Sequence, residues 1–262
     1  MTVPNDRELA ASARRELLED ILPFWRRRTP DERRGGFIGQ MSNDLHIQDD
    51  APKGLILNAR ILWTFAAAYD YTRDEQDRAL ARRAYEYLTS HFLDKDHGGY
   101  FWELDPAGAV LDDKKKIYGQ AFCIYALAEY YRVFSEPAAL AQATDVFNLI
   151  ETCAFDHRYG GYLEVMSPNW RPCEDMRLSD KDMNVAKSMN NHLHILEAYA
   201  GLLRASPDTP VADRLCDLID LFRRCIRPDG TPDSAQPKVS QWKCPYHNSR
   251  CCLEIIRRVK LR

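Results

Sequence analysis

The sequence predicts an all-α fold in which buried and amphipathic helices alternate. This is the pattern of an α/α toroid, an inner ring of helices around a pocket with an outer ring outside it. Two observations point there. Helical periodicity runs through most of the 262 residues, while extended runs are few and short. One motif, Asp-x3-Gly-Gly-aromatic, recurs at Asp31 to Phe37, Asp94 to Tyr100 and Asp156 to Tyr162, at intervals of 63 and 62 residues. A fixed period of this kind marks a repeat architecture. An ordinary helical solenoid is the alternative, but its helix-pair repeats are shorter, and here the double-glycine loops take up the difference.

Residues 5–28 read as an amphipathic helix with Leu9, Ala13, Leu17, Leu18, Ile21 and Phe24 inward and arginines outward, Arg26 to Arg28 forming a solvated end. After each double glycine the aromatic starts a short extended run, as in 100–104 and 162–166, and the two glycines allow backbone conformations closed to other residues. Each repeat then enters a buried helix, at 53–71, 116–134 and 187–203. More polar, amphipathic helices follow at 75–93, 137–153 and 211–225. The domain expectation is one partial ring over 1–227 and a divergent, irregular tail over 228–262.

With 45% hydrophobic and 11% aromatic residues the chain has enough apolar surface for the core of one or two domains. A net charge of −3, with both signs interspersed, offers no basic footprint for nucleic acid or an anionic membrane. The charged, amphipathic start MTVPNDRELAASARREL reads as neither signal peptide nor spanning helix, so a cytoplasmic protein is expected. Cys123, Cys153, Cys173, Cys216 and Cys225 are scattered through helical patterns without a Cys-x-x-Cys pair, and are expected to be reduced. Cys244, His247, Cys251 and Cys252 cluster, but their spacing fits no standard zinc template. No phosphate loop, dinucleotide fingerprint or His-x-x-x-His motif occurs on the predicted inner helices, and neither cofactor nor metal is expected.

The helix over 187–203 carries more chemistry than a core helix needs. Met189, Leu193, Leu196, Ala200 and Leu203 form one apolar stripe and Ile195, Tyr199 and Leu202 a second; between them run Asn190, His194 and Glu197. His194 reads either as a hydrogen-bonded core histidine or as a group facing a ligand. In the first inner helix Arg60 lies in an apolar run, and a buried arginine is either salt-bridged or a fixed cation able to hold a developing oxyanion. The second inner helix supplies Tyr118, Gln120 and Glu129. Arg60, Tyr118, Asn190 and His194 fall one to two turns from the starts of consecutive inner helices, so they are expected to converge. With Trp102 and Trp170 on adjoining loops, this set suits a polar, uncharged ligand with apolar ring faces, such as a sugar. A glycoside hydrolase working through paired carboxylates, for example Glu103 and Glu164, is the rival reading.

Four stretches make the reading specific: KGLILNARILWTFAAAY at 53–69, DKDHGGYFWE at 94–103, KKKIYGQAFCIYALAEYY at 114–131 and DKDMNVAKSMNNHLHILEAYAGL at 180–202. Together they resemble the cellobiose 2-epimerase family of the N-acylglucosamine 2-epimerase superfamily. The resemblance implies an (α/α)6 barrel, a six-hairpin toroid that is here incomplete with about seven helices. It also implies reversible, cofactor-independent C2 epimerisation of the reducing-end glucose of β-1,4-linked disaccharides, by ring opening and histidine-mediated proton transfer through a cis-enediolate. Cellobiose would give glucosyl-mannose and lactose would give epilactose. By motif position His194 and Arg60 take catalytic roles, and Tyr118, Asn190 and Arg60 contact substrate, with Trp170 as a stacking surface. The family implies a disaccharide as the partner and a monomer as the state.

The resemblance extends from about Glu16 to about Phe222. The family's acid and base are two histidines on inner helices of the second half of the barrel. The segment with Gly-His-Asp-Ile-Glu is absent from this sequence, and His247 stands in a different context, CPYHNSRCC. The expectation is therefore a chain of low epimerase activity and poor solubility, self-associating through an exposed half-barrel. An inactive or weakly sugar-binding remnant is the alternative, as is another superfamily activity, N-acylglucosamine 2-epimerase or mannose isomerase.

Overall fold

The computed structural model describes residues 6–207 and 210–225, which fall into two compact units. The first holds residues 6–91 and 103–109; the second holds 92–102, 110–207 and 210–225. The tail from 228 on, including Cys244, His247, Cys251 and Cys252, lies outside the described residues, as does the Cys225 side chain. Among the described residues there are seven helical rods, in keeping with the all-α expectation.

In the first unit α1 (Asp6–Arg15), a π-helical segment (Glu16–Ile21) and α2 (Leu22–Arg28) form one continuous rod. The buried residues of this rod are Ala13, Leu17 and Leu22, whereas Leu9 and Phe24 are exposed, contrary to the sequence expectation. The π-helical segment is the cause: its wider turns rotate everything beyond it relative to a 3.6-residue period. Nor is Arg26 simply solvated. It makes a bidentate pair with Asp77 at 2.8 and 2.7 Å and a further ion pair with Asp74 at 2.9 Å.

The strand β1 (Lys53–Gly54) pairs antiparallel with β2 (Glu103–Leu104) and feeds α3 (Leu55–Thr72), which is buried along most of its length. Arg73, in the left-handed conformation, ends α3, and Asp74 caps α4 (Glu75–Tyr87) by accepting from the Gln76 amide, which folds the pair into a hairpin.

The second unit repeats the plan. β3 (Val110–Asp112) precedes β4 (Lys115–Lys116), which pairs antiparallel with β5 (Val165–Met166). The buried α5 (Ile117–Phe134) turns at a left-handed Ser135 into α6 (Pro137–Leu149), and α7 (Met189–Ala205) leads to α8 (Val211–Cys225). α7 packs on α5 so closely that a Cβ at Gly201 would meet the Tyr125 ring at 2.7 Å. At the far end of the two helices Glu129, almost fully buried, accepts from Arg132 at 2.7 Å and from Arg204 at 2.5 Å.

The three loops share one construction. In each, the aspartate amide bonds the second glycine carbonyl and the first glycine amide bonds the aspartate carbonyl, at 2.8 to 3.1 Å. One aspartate oxygen accepts two amides of the turn, and the other meets a lysine just ahead of the following inner helix. The lysine pairs are Lys53 with Asp31 at 2.9 Å, Lys115 with Asp94 at 2.6 Å and Lys187 with Asp156 at 2.5 Å. Both residues of each double glycine have positive φ, for example 73° and 71° at Gly98 and Gly99.

A candidate sugar site on the inner helices

The first turn of α7 is tied down from several sides. Ser188 Oγ accepts from the Asn191 amide at 3.1 Å, and the Ser188 amide donates to Glu164 Oε1 at 2.6 Å. Burial pushes the Glu164 carboxyl up to about 7, against the bonds from Ser188 and Asn191 that favour its charged form.

One turn further on, the His194 ring stands edge-on to Tyr118, with centroids 4.7 Å apart, and lies tilted over Phe122 at the same distance. Its Nδ1 bonds Glu197 Oε2 at 3.2 Å, so a carboxylate orients the imidazole. Asn190 is exposed and precedes His194 by one turn on the same helix face. Tyr118 and His194 are thus in contact, as expected, and Glu197 completes the group.

The apolar reading of α7 needs correction. Ile195, Ala198, Tyr199 and Leu202 are buried, while Met189 and Leu193 are 37% and 43% exposed. Two stripes fit the helical period, and the face packed on α5 is the one that carries Ile195, Tyr199 and Leu202.

Arg60 is buried in α3 of the first unit, 2% exposed. It stands seven residues after Lys53, as Phe122 stands after Lys115 and His194 after Lys187. The repeat therefore gives Arg60, Phe122 and His194 one register on their helices.

Trp170 has a left-handed φ of 60° and is 7% exposed. Its indole N–H donates to the carbonyls of His97 and Gly98 at 3.1 and 3.2 Å, and a Cβ at Gly99 would meet its ring at 2.5 Å. The ring is a strut of the second double-glycine loop. Of the rival carboxylates, Glu103 lies in β2 of the first unit, and Glu164 caps α7 in the second.

Sequence reasoning passed over His192, which is 5% exposed: Tyr162 N donates to its Nε2 at 2.9 Å, and its Nδ1 bonds Ser188 O at 2.7 Å. In the second repeat Gln120 does the same work, accepting from Tyr100 N at 2.9 Å and donating to Tyr100 O at 2.7 Å. The signal was there: Gln120 and His192 each lie five residues after their loop lysine, Lys115 or Lys187.

Among the described residues no cluster of His, Cys, Asp and Glu is arranged to hold a metal ion, and no helix is long and apolar enough to cross a membrane.

The chain is 41% identical over 241 residues to a cellobiose 2-epimerase of Bacteroides fragilis, covering 92% of this chain and 62% of that protein. It is 39% identical over 207 residues to the cellobiose 2-epimerase of Dictyoglomus turgidum, covering 79% of this chain and 52% of the relative. It thus spans between half and two thirds of the length of these curated relatives. The solved cellobiose 2-epimerase of Spirochaeta thermophila superposes with a TM-score of 0.85 at 25% identity, covering 98% of each chain, and so supports the (α/α) barrel class. The sequence profile of the N-acylglucosamine 2-epimerase family matches residues 36–228, most of the chain, and the chain belongs to that family.

Proposed function

We propose that the protein epimerises the reducing-end glucose of a β-1,4-linked disaccharide at C2, taking cellobiose to glucosyl-mannose and lactose to epilactose. The observation that carries the proposal is the oriented imidazole of His194, bonded to Glu197 and packed edge-on against Tyr118, with Asn190 one turn away. Similarity to relatives named cellobiose 2-epimerase supports the substrate class.

The chemistry follows from the sugar. Only the open-chain aldehyde makes the C2 proton acidic enough to remove, and its removal leaves a cis-enediolate with negative charge on the former carbonyl oxygen. A permanent cation suits that oxygen, a role this reading gives to Arg60. His194, held at Nδ1 by Glu197, exchanges protons with the sugar oxygens through Nε2. A donor of this kind lowers the barrier by roughly 3 to 4 kcal/mol. Tyr118 and Asn190 bind the sugar hydroxyls.

Inversion requires a proton-transfer group on each face of C2. Both ring nitrogens of His192 are used within the protein, so of the two histidines on α7 only His194 is assigned to a substrate. That favours a second reading, disaccharide binding without turnover by this chain on its own.

The test is incubation of the purified protein with cellobiose in heavy water, followed by NMR. Deuterium at C2 together with a mannose-type reducing end supports epimerisation. Line broadening of cellobiose without exchange, from a folded protein, supports the second reading. Release of glucose overturns both in favour of a glycoside hydrolase.

A further inference from the structure

Positions five residues after the loop lysines have to supply an acceptor for the backbone amide that follows the double glycine. Gln120 supplies it with an amide oxygen that no accessible pH alters. His192 supplies it with Nε2, which accepts the Tyr162 N–H only while it carries no proton. Because Nε2 is the acceptor, the hydrogen of the neutral ring sits on Nδ1, where it is donated to Ser188 O at 2.7 Å.

The space around the ring leaves no alternative pose. A Cβ on Gly161 would lie 2.6 Å from Nε2, and Leu221 of α8 closes the same spot at 3.3 Å. The Tyr162 ring is 5.9 Å away, centroid to centroid.

The charged groups nearby do not favour an imidazolium. Lys187, in the segment leading into α7, adds positive charge and is itself paired with Asp156 of the loop. Glu164 is committed to the Ser188 amide. Glu151, in the π-helical turn after α6, accepts from the hydroxyls of Tyr162 and Tyr199 at 2.7 and 2.6 Å and pairs with Arg214 of α8 at 2.9 Å. Asp217, Asp220, Arg223 and Arg224 of α8 line a cavity of about 690 Å³ on the far side of Gly160, Gly161 and Tyr162. Burial, followed by the Lys187 charge, holds the His192 imidazole below the ordinary histidine range, and the bond to Ser188 opposes that only in part.

We propose that His192 is a positioning residue that works only as the neutral, Nδ1-protonated imidazole. It locks the third double-glycine loop to the first turn of α7, and protonation releases that turn and the two residues it carries, Asn190 and His194. The consequence for activity rests on the sugar-site reading above, but the lock itself does not. Protonation replaces one N–H···N bond with two N–H groups facing each other, so both the loop strand at Tyr162 and the Ser188 cap lose a partner.

The experiment compares the wild-type chain with His192→Gln, which copies the device of the second repeat. Side-chain ¹⁵N shifts of wild-type His192 at pH 8 should show a bare Nε2 and a protonated Nδ1. The Tyr162 amide, followed by hydrogen exchange as a protection factor, should lose protection by about tenfold or more as the ring is protonated. In His192→Gln the protection should stay level across the same range. An Nε2–H tautomer or an imidazolium at pH 8 would overturn the proposal, and so would an equal acid loss of protection in the variant. If the variant fails to fold, the wild-type shifts decide alone. None of these readouts needs substrate, so a protein that shows the lock but leaves cellobiose unchanged keeps this proposal and loses the epimerase reading. Where turnover is present, the acid limb of kcat/KM should move to lower pH in His192→Gln.

Discussion

The His194 imidazole makes its polar contact through Nδ1 and rests on Tyr118, so its orientation depends on one carboxylate and one ring. His194→Ala should lower kcat on cellobiose by about 100- to 1000-fold, the usual cost of a lost donor to a developing oxyanion. Glu197→Gln should cost less, about tenfold, since the amide can still accept from Nδ1 but no longer stabilises the charged ring. Steady-state kinetics on the two variants test this, and an unchanged kcat in both would remove His194 from the chemistry. His194 was legible because an imidazole between two apolar stripes needs a reason. His192, two residues away, was not, because its role is to satisfy a backbone amide thirty residues earlier, and no local pattern shows that bond. Trp170 was misjudged for a related reason: an aromatic on a loop looks like a stacking surface until its N–H is seen to be spent on His97 and Gly98.

At the scale of the element, the double-glycine loop and its lysine form a unit whose strength depends on burial. Lys115 and Asp94 are almost fully buried, and Lys115→Met strands a buried carboxylate, which should destabilise the fold by about 3 to 5 kcal/mol. Lys187 and Asp156 keep roughly a quarter of their surface, and Lys187→Met should cost about 1 kcal/mol or less. Urea unfolding of the two variants measures the difference, and equal losses would mean that burial does not set the value of these pairs.

The cap of α7 gives a pH signature of its own. Glu164 titrates near 7 in the folded chain against a reference value of 4.5, so it binds a proton more readily when folded. Its stabilising contribution is intact below pH 4.5 and is lost as pH rises from 4.5 through about 7. Glu164→Gln should therefore gain on wild type over that window, by about 3 kcal/mol. The loop motif was readable because Asp and Gly-Gly each have a backbone reason to be where they are. The π-helical segments were not, since nothing in a run such as ELLEDI distinguishes a 3.6-residue turn from a wider one.

Across the whole chain, the alternation of buried and amphipathic helices was legible because α3 and α5 are apolar all round while α4 is amphipathic. That contrast arises only when one set of helices is enclosed by another. The same repetition gives the molecule a collective response to acid. Asp31, Asp94 and Asp156 each lie below the ordinary carboxylate value of 3.8. For Asp31 and Asp94, bonds from lysine and backbone amides outweigh the opposing effect of burial; for Asp156, the bond from Lys187 is the largest cause and takes it to about 2. A carboxylate depressed in the folded state stays charged where the unfolded chain would already be protonated. Its contribution is therefore present above pH 3.8 and disappears as pH falls through the native values. Three such groups acting together should make helix loss, followed by circular dichroism, steep below about pH 4. Replacing all three aspartates by asparagine keeps the side-chain oxygen that accepts the turn amides and removes the charge. That variant should be less stable near neutral pH and should lose helix over a visibly shallower acid transition. An acid transition of unchanged steepness would mean that the lysine clamps do not govern the response, and that the buried lock at His192, whose stability is lost as pH falls below 6.5, is where the fold first yields.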